Sequence, residues 1–263
     1  MESDTIVWIT GATDGIGAAL ARNCPYPDAR IINLSRTRHP ELETVLFDLT
    51  DPGSWDTVRE HLKDELSRFK GKRAIFIQNA YFSDAIGLIG KVSSALYEKS
   101  VIGNVAAPLV VGEAFLTACP DHIEGGLVMM SSGAAVSPLP GISSYCASKA
   151  MIEHWAEVVA REREDRGKGP WVVAVRPGGT DTAPVRAIAK VDPELYPRAA
   201  RIAANLPNRL DPDSAAKHIW DVLPPKPGIA VISFAPPPQD RRFAYGGERI
   251  ETRQVPGWEL VYA

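Results

Sequence analysis

Seven short apolar runs, at residues 5–9, 30–34, 44–47, 74–77, 127–130, 171–175 and 229–234, constrain this chain more than any other feature. Each is short and lacks clean polar–apolar alternation, the mark of a strand buried on both faces of a parallel sheet. Stretches with helical spacing lie between them, notably 54–69, 94–118 and 145–163. Alternating strand and helix predicts a doubly wound α/β fold: a mainly parallel sheet of about seven strands with helices on both faces. The composition suits this, because 45% hydrophobic residues in a 263-residue chain can bury a continuous sheet between helical layers. Residues 1–235 are expected to form a single domain. Residues 236–263, which open with Pro236, Pro237 and Pro238, are expected to be an irregular tail, either a packed arm or a gate over the substrate.

Charge and cysteine usage exclude several functional classes. A net charge of −3 gives no general attraction for nucleic acid or an anionic membrane. Acids near Met1 replace the basic region of a secretory signal, and no apolar stretch was expected to reach the roughly 20 residues that span a bilayer. Cys24, Cys119 and Cys146 are scattered and odd in number, unlike a disulfide framework or thiolate site. A cytoplasmic location is expected. The five histidines show no ligand spacing, so no metal is expected, and His154 and His218 read as helix-surface or packing residues.

The first apolar run leads into Thr10-Gly11-Ala12-Thr13-Asp14-Gly15-Ile16-Gly17 and then a helical segment. Glycines permit a tight turn and close approach of a pyrophosphate, while a helix start offers unpaired N–H groups and partial positive charge. A glycine-rich turn without ligand has the same composition. The spacing resembles the Thr-Gly-x-x-x-Gly-Ile-Gly motif of the short-chain dehydrogenases/reductases, a Rossmann-fold family. That resemblance implies that Gly11, Thr13, Asp14, Gly15, Ile16 and Gly17 form the cofactor's diphosphate and ribose site.

The second run ends Ser35-Arg36-Thr37-Arg38. A carboxylate usually holds the adenosine ribose of NAD at this point, whereas a guanidinium suits a 2'-phosphate. Its absence, with Arg36 following Ser35, favours NADP(H), Arg36 being the main phosphate ligand and Ser35 or Arg38 assisting; solvated strand-end arginines are the plainer alternative. Asp48-Leu49 resembles the family's adenine site, though Asp48 could instead serve a helix start. Asn79-Ala80-Tyr81 resembles the family's Asn-Ala-Gly beside the adenosine, and tyrosine in place of glycine implies a different loop shape.

Tyr145 and Lys149 lie four residues apart in a helical segment, so both can enter one site. A free phenol has a pKa near ~10, and bringing it to neutrality takes on the order of 4 kcal/mol, which a close ammonium and an oxidised nicotinamide could supply. Ser132 stands 13 residues earlier and Asn104 within the preceding long helical segment, which completes the family's catalytic set. The resemblance spans roughly residues 5–235 and implies hydride transfer between nicotinamide and carbonyl. Tyr145 would move the proton, Ser132 orient the oxygen, Lys149 hold the ribose and tune the phenol, and Asn104 hold a water. Arg176-Pro177-Gly178-Gly179-Thr180-Asp181-Thr182 resembles the family's Pro-Gly-x-x-x-Thr, so Pro177, Gly178, Thr180 and Thr182 are expected at the nicotinamide.

Residues 183–210 fall where the family keeps its substrate lid; Val185, Ile188, Val191, Leu195, Tyr196, Ile202 and Leu206 suit an apolar pocket or packing on the core. The expected activity is NADP(H)-dependent reduction of an apolar or aromatic ketone or dicarbonyl, with a faint likeness to sepiapterin- and benzil-reductase-like carbonyl reductases. A secondary-alcohol dehydrogenase and a non-catalytic nucleotide sensor are the competing readings. Family members commonly pair through the helices here at 94–118 and 145–163, so a homodimer or homotetramer is expected.

Overall fold

The computed structural model describes residues 3–234; the expected tail lies outside them. Among the described residues, seven strands form one parallel sheet: β1 (Thr5–Thr10), β2 (Arg30–Ser35), β3 (Glu43–Leu46), β4 (Arg73–Gln78), β5 (Glu124–Met130), β6 (Trp171–Arg176) and β7 (Val231–Ser233). Their order is β3-β2-β1-β4-β5-β6-β7. The order turns back at β1, between β2 and β4, which opens a crevice at the carboxyl ends of the strands.

Alternate residues explain why the strands read as continuous apolar runs. Ile6 and Trp8 join Leu34, Phe76, Leu127 and Met129 on one face. Val7 and Ile9 join Ile77, Val128, Val173 and Val175 on the other. The first face is covered by α2 (Pro52–Arg68), α4 (Ala107–Ala118) and α5 (Ser143–Arg166), through Val58, Leu62, Val111, Phe115 and Ile152. The second is covered by α1 (Gly15–Arg22) and α8 (Pro212–Asp221), through Ala19, Leu20, Ile219 and Trp220. Asp14 and Asp51 cap α1 and α2, and Gly167, at φ 68°, ends α5 in the left-handed conformation that suits glycine.

Two expectations about residues 94–118 need correction. The segment is not one regular helix: α3 (Ser94–Val101) passes through a π-helical turn, Ile102–Ala106, into α4. Pro108 contributes to the break, because it has no N–H for the carbonyl of Asn104 four residues back. The segment is also long and apolar enough, by length and composition, to cross a membrane, with a mean hydropathy of 1.6 in its most apolar window. Its place in the fold accounts for that character otherwise, since Ala107, Val111 and Phe115 are fully buried against the sheet.

The lid segment carries two short helices, α6 (Ala183–Ile188) and α7 (Ala199–Asn205). Its two ends are held together where Asp181 N donates to Leu210 O (2.8 Å) and Leu210 N to Gly179 O (2.9 Å).

Candidate active site

Two cavities at the carboxyl edge of the sheet share Gly11, Thr13, Ala80 and Tyr81. The larger, about 350 Å³, is lined by the glycine turn, Ser132, Tyr145, Lys149, the Pro177–Thr182 loop and the lid residues Pro184 and Val185. The smaller, about 230 Å³, is lined by Ser35, Arg36, Asp48 and Leu49. Asn79 lies in the larger one, as do Thr13, Asp14 and Ile16.

The turn after β1 can only be built from glycine at its critical points. Gly11 and Gly15 have φ of 72° and 54°. A Cβ on Gly17 would lie 2.1 Å from Gly11 O, so Gly17 lets α1 close on the turn and lines neither cavity. Thr10 Oγ1 accepts from the backbone N–H groups of Asn79 and Ala80 (2.9 Å each), which ties β1 to β4 at the crevice. Asn33, fully buried within the second apolar run, accepts at Oδ1 from Ala12 N (3.0 Å) and donates to Ser35 Oγ (2.9 Å). These internal supports escaped the sequence reading, although a buried asparagine in an apolar run was a visible signal.

At the smaller cavity, Arg36 has no carboxylate within ion-pair distance among the described residues. Ser35 donates its hydroxyl proton to Thr37 O (2.6 Å), and Arg38 is absent from the lining. Asp48 accepts at Oδ1 from Thr50 N and Oγ1 (2.8 and 2.9 Å), while Asp51 caps α2. Asp48 is therefore not the capping acid of that helix.

Tyr145 and Lys149 do share one face of α5. Lys149 Nζ donates to Met130 O at 2.6 Å and lies 5.6 Å from the centroid of the Tyr145 ring and 5.7 Å from that of Tyr81. An ammonium between two aromatic faces gains cation–π attraction, yet burial brings Lys149 down to about 8, with the Glu153 carboxylate opposing that fall. Tyr145 departs from expectation. Burial raises its phenol above the ordinary value, and a hydrogen bond with Ser132 only partly opposes this. In the protein alone, then, the phenol is not made acidic, because desolvation outweighs the Ser132 hydrogen bond.

Asn104 occupies the π turn and is buried. Both ends of its amide bond Phe82: Phe82 N donates to Oδ1 (2.7 Å) and Nδ2 donates to Phe82 O (2.8 Å). It thereby holds the loop that presents Tyr81, whose ring packs 5.4 Å from that of Tyr145. The lid residues Ile188, Val191, Tyr196 and Ile202 belong to a small apolar cluster that also holds Tyr145, whereas Val185 lines the larger cavity. Sequence reading also missed the buried Glu153–Arg176 ion pair behind Lys149 and gave no place to Arg209, which lines the larger cavity and whose Nε is buried without a partner.

Residues 5–192 match the family described as short chain dehydrogenase. Benzil reductase ((S)-benzoin forming) from Bacillus cereus is 26% identical over 201 residues, covering 71% of this chain and 81% of that protein. An uncharacterized oxidoreductase from Schizosaccharomyces pombe is 31% identical over 199 residues, covering 68% and 72%. In structure, a short chain dehydrogenase from Burkholderia cenocepacia, solved in complex with NADP, superposes with a TM-score of 0.68 at 22% identity, covering 88% of this chain and 96% of that one.

Proposed function

Because this chain belongs to the short chain dehydrogenase family, whose members use a nicotinamide cofactor, we propose that it is an NADP(H)-dependent reductase of an apolar or aromatic ketone or dicarbonyl, with Tyr145 as proton donor. The observation that carries this is the single cavity holding Ser132, Tyr145 and Lys149 beside the glycine turn. The bound nicotinamide would supply the hydride and, once oxidised, a positive charge.

The chain's own residues divide the remaining work. The backbone N–H groups of the glycine turn and the start of α1 suit a diphosphate, since a Cβ at Gly11 or Gly17 would fill the space the turn needs. Arg36 suits a 2'-phosphate, having no competing carboxylate partner among the described residues. Asp48 and Leu49, which line the smaller cavity, would hold the adenine. The Pro177–Thr182 loop would meet the nicotinamide. Tyr145 donates its phenolic proton to the carbonyl oxygen, which Ser132 orients by hydrogen bonding. Lys149 would hold the ribose hydroxyls and stabilise the resulting phenolate, and the Asn104 carbonyl, denied an N–H by Pro108, suits a water that resupplies the proton.

Substrate choice follows from the lining. Tyr81, Met130, Pro184 and Val185 offer apolar surface, and Arg209 offers a cation that could receive the second oxygen of a dicarbonyl. The likeness to benzil reductase supports the same class. The same reading expects a cytoplasmic protein, to which three scattered cysteines are suited, and a homo-oligomer joined through α3, α4 and α5.

NADPH consumption against a panel of ketones, diketones, aldehydes and pterins tests the reading. An aromatic diketone should be preferred and Tyr145→Phe should lose at least about a hundredfold in kcat. Undiminished turnover by that variant would overturn the proton-donor assignment. Equal use of NADH and NADPH by the wild-type protein would remove the phosphate role of Arg36.

A further inference from the structure

Nothing in the proposed reaction uses Glu153, yet it sits one helical turn beyond Lys149 and is 7% exposed. Its carboxylate receives three hydrogen bonds of 2.6 Å: Ser131 Oγ and Arg176 Nε donate to Oε1, and Arg176 Nη2 donates to Oε2. Ser131 directly precedes Ser132 at the end of β5. Arg176 directly precedes the Pro177–Gly178 turn at the end of β6. One buried carboxylate thus joins α5, β5 and β6 at the points where each presents a site residue.

Stability alone explains this arrangement poorly. Taking two charges from water costs several kcal/mol per ion, and well-packed apolar replacements are often at least as stable. The face of the sheet beneath α5 is otherwise apolar, since Val172 and Ala174 on β6 and Ile152 and Ala156 on α5 are buried in one cluster. A bidentate guanidinium–carboxylate pair instead supplies direction, because two parallel hydrogen bonds fix both distance and plane. We infer that Glu153, held by Arg176 and Ser131, is the positioning residue that sets the mutual spacing of Ser132, the Tyr145–Lys149 pair and the nicotinamide loop.

The carboxylate acts through Lys149 as well as through backbone position. Lys149 faces Glu153 from its own helix, the Tyr81 and Tyr145 rings from the sides, and the Met130 carbonyl at the end of β5. Glu153 is the charged neighbour that supports the ammonium against desolvation. Arg176 and Ser131 in turn hold that carboxylate in place.

This inference rests on the reading of Tyr145 as proton donor, and the experiment separates the two. The double variant Glu153→Met with Arg176→Met removes both charges together. It should unfold cooperatively near the wild-type Tm and keep KM within about twofold, while kcat falls by about tenfold or more from misplacement. The alkaline limb of kcat should move down by about one pH unit as Lys149 loses its supporting charge. Independently of turnover, the Lys149 ammonium should titrate lower in the double variant, read from its side-chain NMR signal, assigned by its loss in Lys149→Met. Arg176→Lys, which keeps the charge but not the bidentate geometry, guards against a misfolded double variant and should lose activity by a smaller factor. Wild-type kcat in either folded variant, or an unmoved Lys149 titration in the double variant, would overturn the inference. If Tyr145→Phe alone keeps full turnover, the reaction assignment fails, and the Lys149 titration still decides the role of Glu153.

Discussion

Lys149 shows how a single residue can hold function and stability in opposition. Its folded pKa, about 8, lies below the ordinary 10.5, so the unfolded chain binds more protons between those values and stability rises with pH across that window. Below pH 8 the buried ammonium costs on the order of 3 kcal/mol, less what its bond to Met130 O returns. Lys149→Met should therefore abolish turnover yet raise Tm at neutral pH, the gain closing as pH climbs from 8 to 10.5, which thermal melts at several pH values would check. A variant no more stable than wild type at pH 7 would contradict the burial argument. Gly17→Ala carries the opposite expectation. The added methyl meets Gly11 O at 2.1 Å, so the turn must shift, with a loss of about 1–3 kcal/mol in denaturant melts and weaker NADPH binding by fluorescence titration. That Tyr145 and Lys149 share one face of α5 was legible because it lies in local spacing. Glu153 and Arg176 were not, because they are 23 residues apart and only the fold pairs them.

At the scale of elements, the π turn at Ile102–Ala106 is the feature that spacing concealed. Apolar residues at helical intervals look alike whether the turn is wound with four or five residues, and Pro108 beside Asn104 was the overlooked clue. Pro108→Ala should supply the missing N–H, tighten the turn towards α-helix and raise helix stability by up to about 3 kcal/mol. If the turn serves the site, kcat should fall even as Tm rises, because the Asn104 carbonyl becomes occupied and the Phe82 anchor shifts. A Pro108→Ala protein with full kcat would mean that the turn has no part in the reaction. The strands were easier to read: burial on both faces leaves continuous apolar runs, and all seven runs became strands. The lid was readable only as apolar, since the packing of Tyr196 against Ile142 joins residues 54 positions apart in sequence.

For the molecule as a whole, the sheet buries both faces under helices and leaves the outer sides of α3 and α5 to solvent, where Val101 and Val158 are 43% and 44% exposed. Together with the apolar character of Ser94–Ala118, this fits the proposed pairing of subunits through those helices. Val101→Arg with Val158→Arg should reduce the mass measured by light scattering to that of a monomer while leaving the fold intact. A wild-type protein already monomeric at micromolar concentration would refute the assembly.

The strand order also bears on how the chain is made. Because β1 lies between β2 and β4, Val7, Trp8 and Ile9 have both neighbours only after residue 78 has left the ribosome. Strands β5, β6 and β7 then add at one edge in the order of their synthesis. The nascent protein carries β1, a strand whose six residues all end up buried, half-paired through the translation of β4, the interval in which a chaperone would find the most to hold.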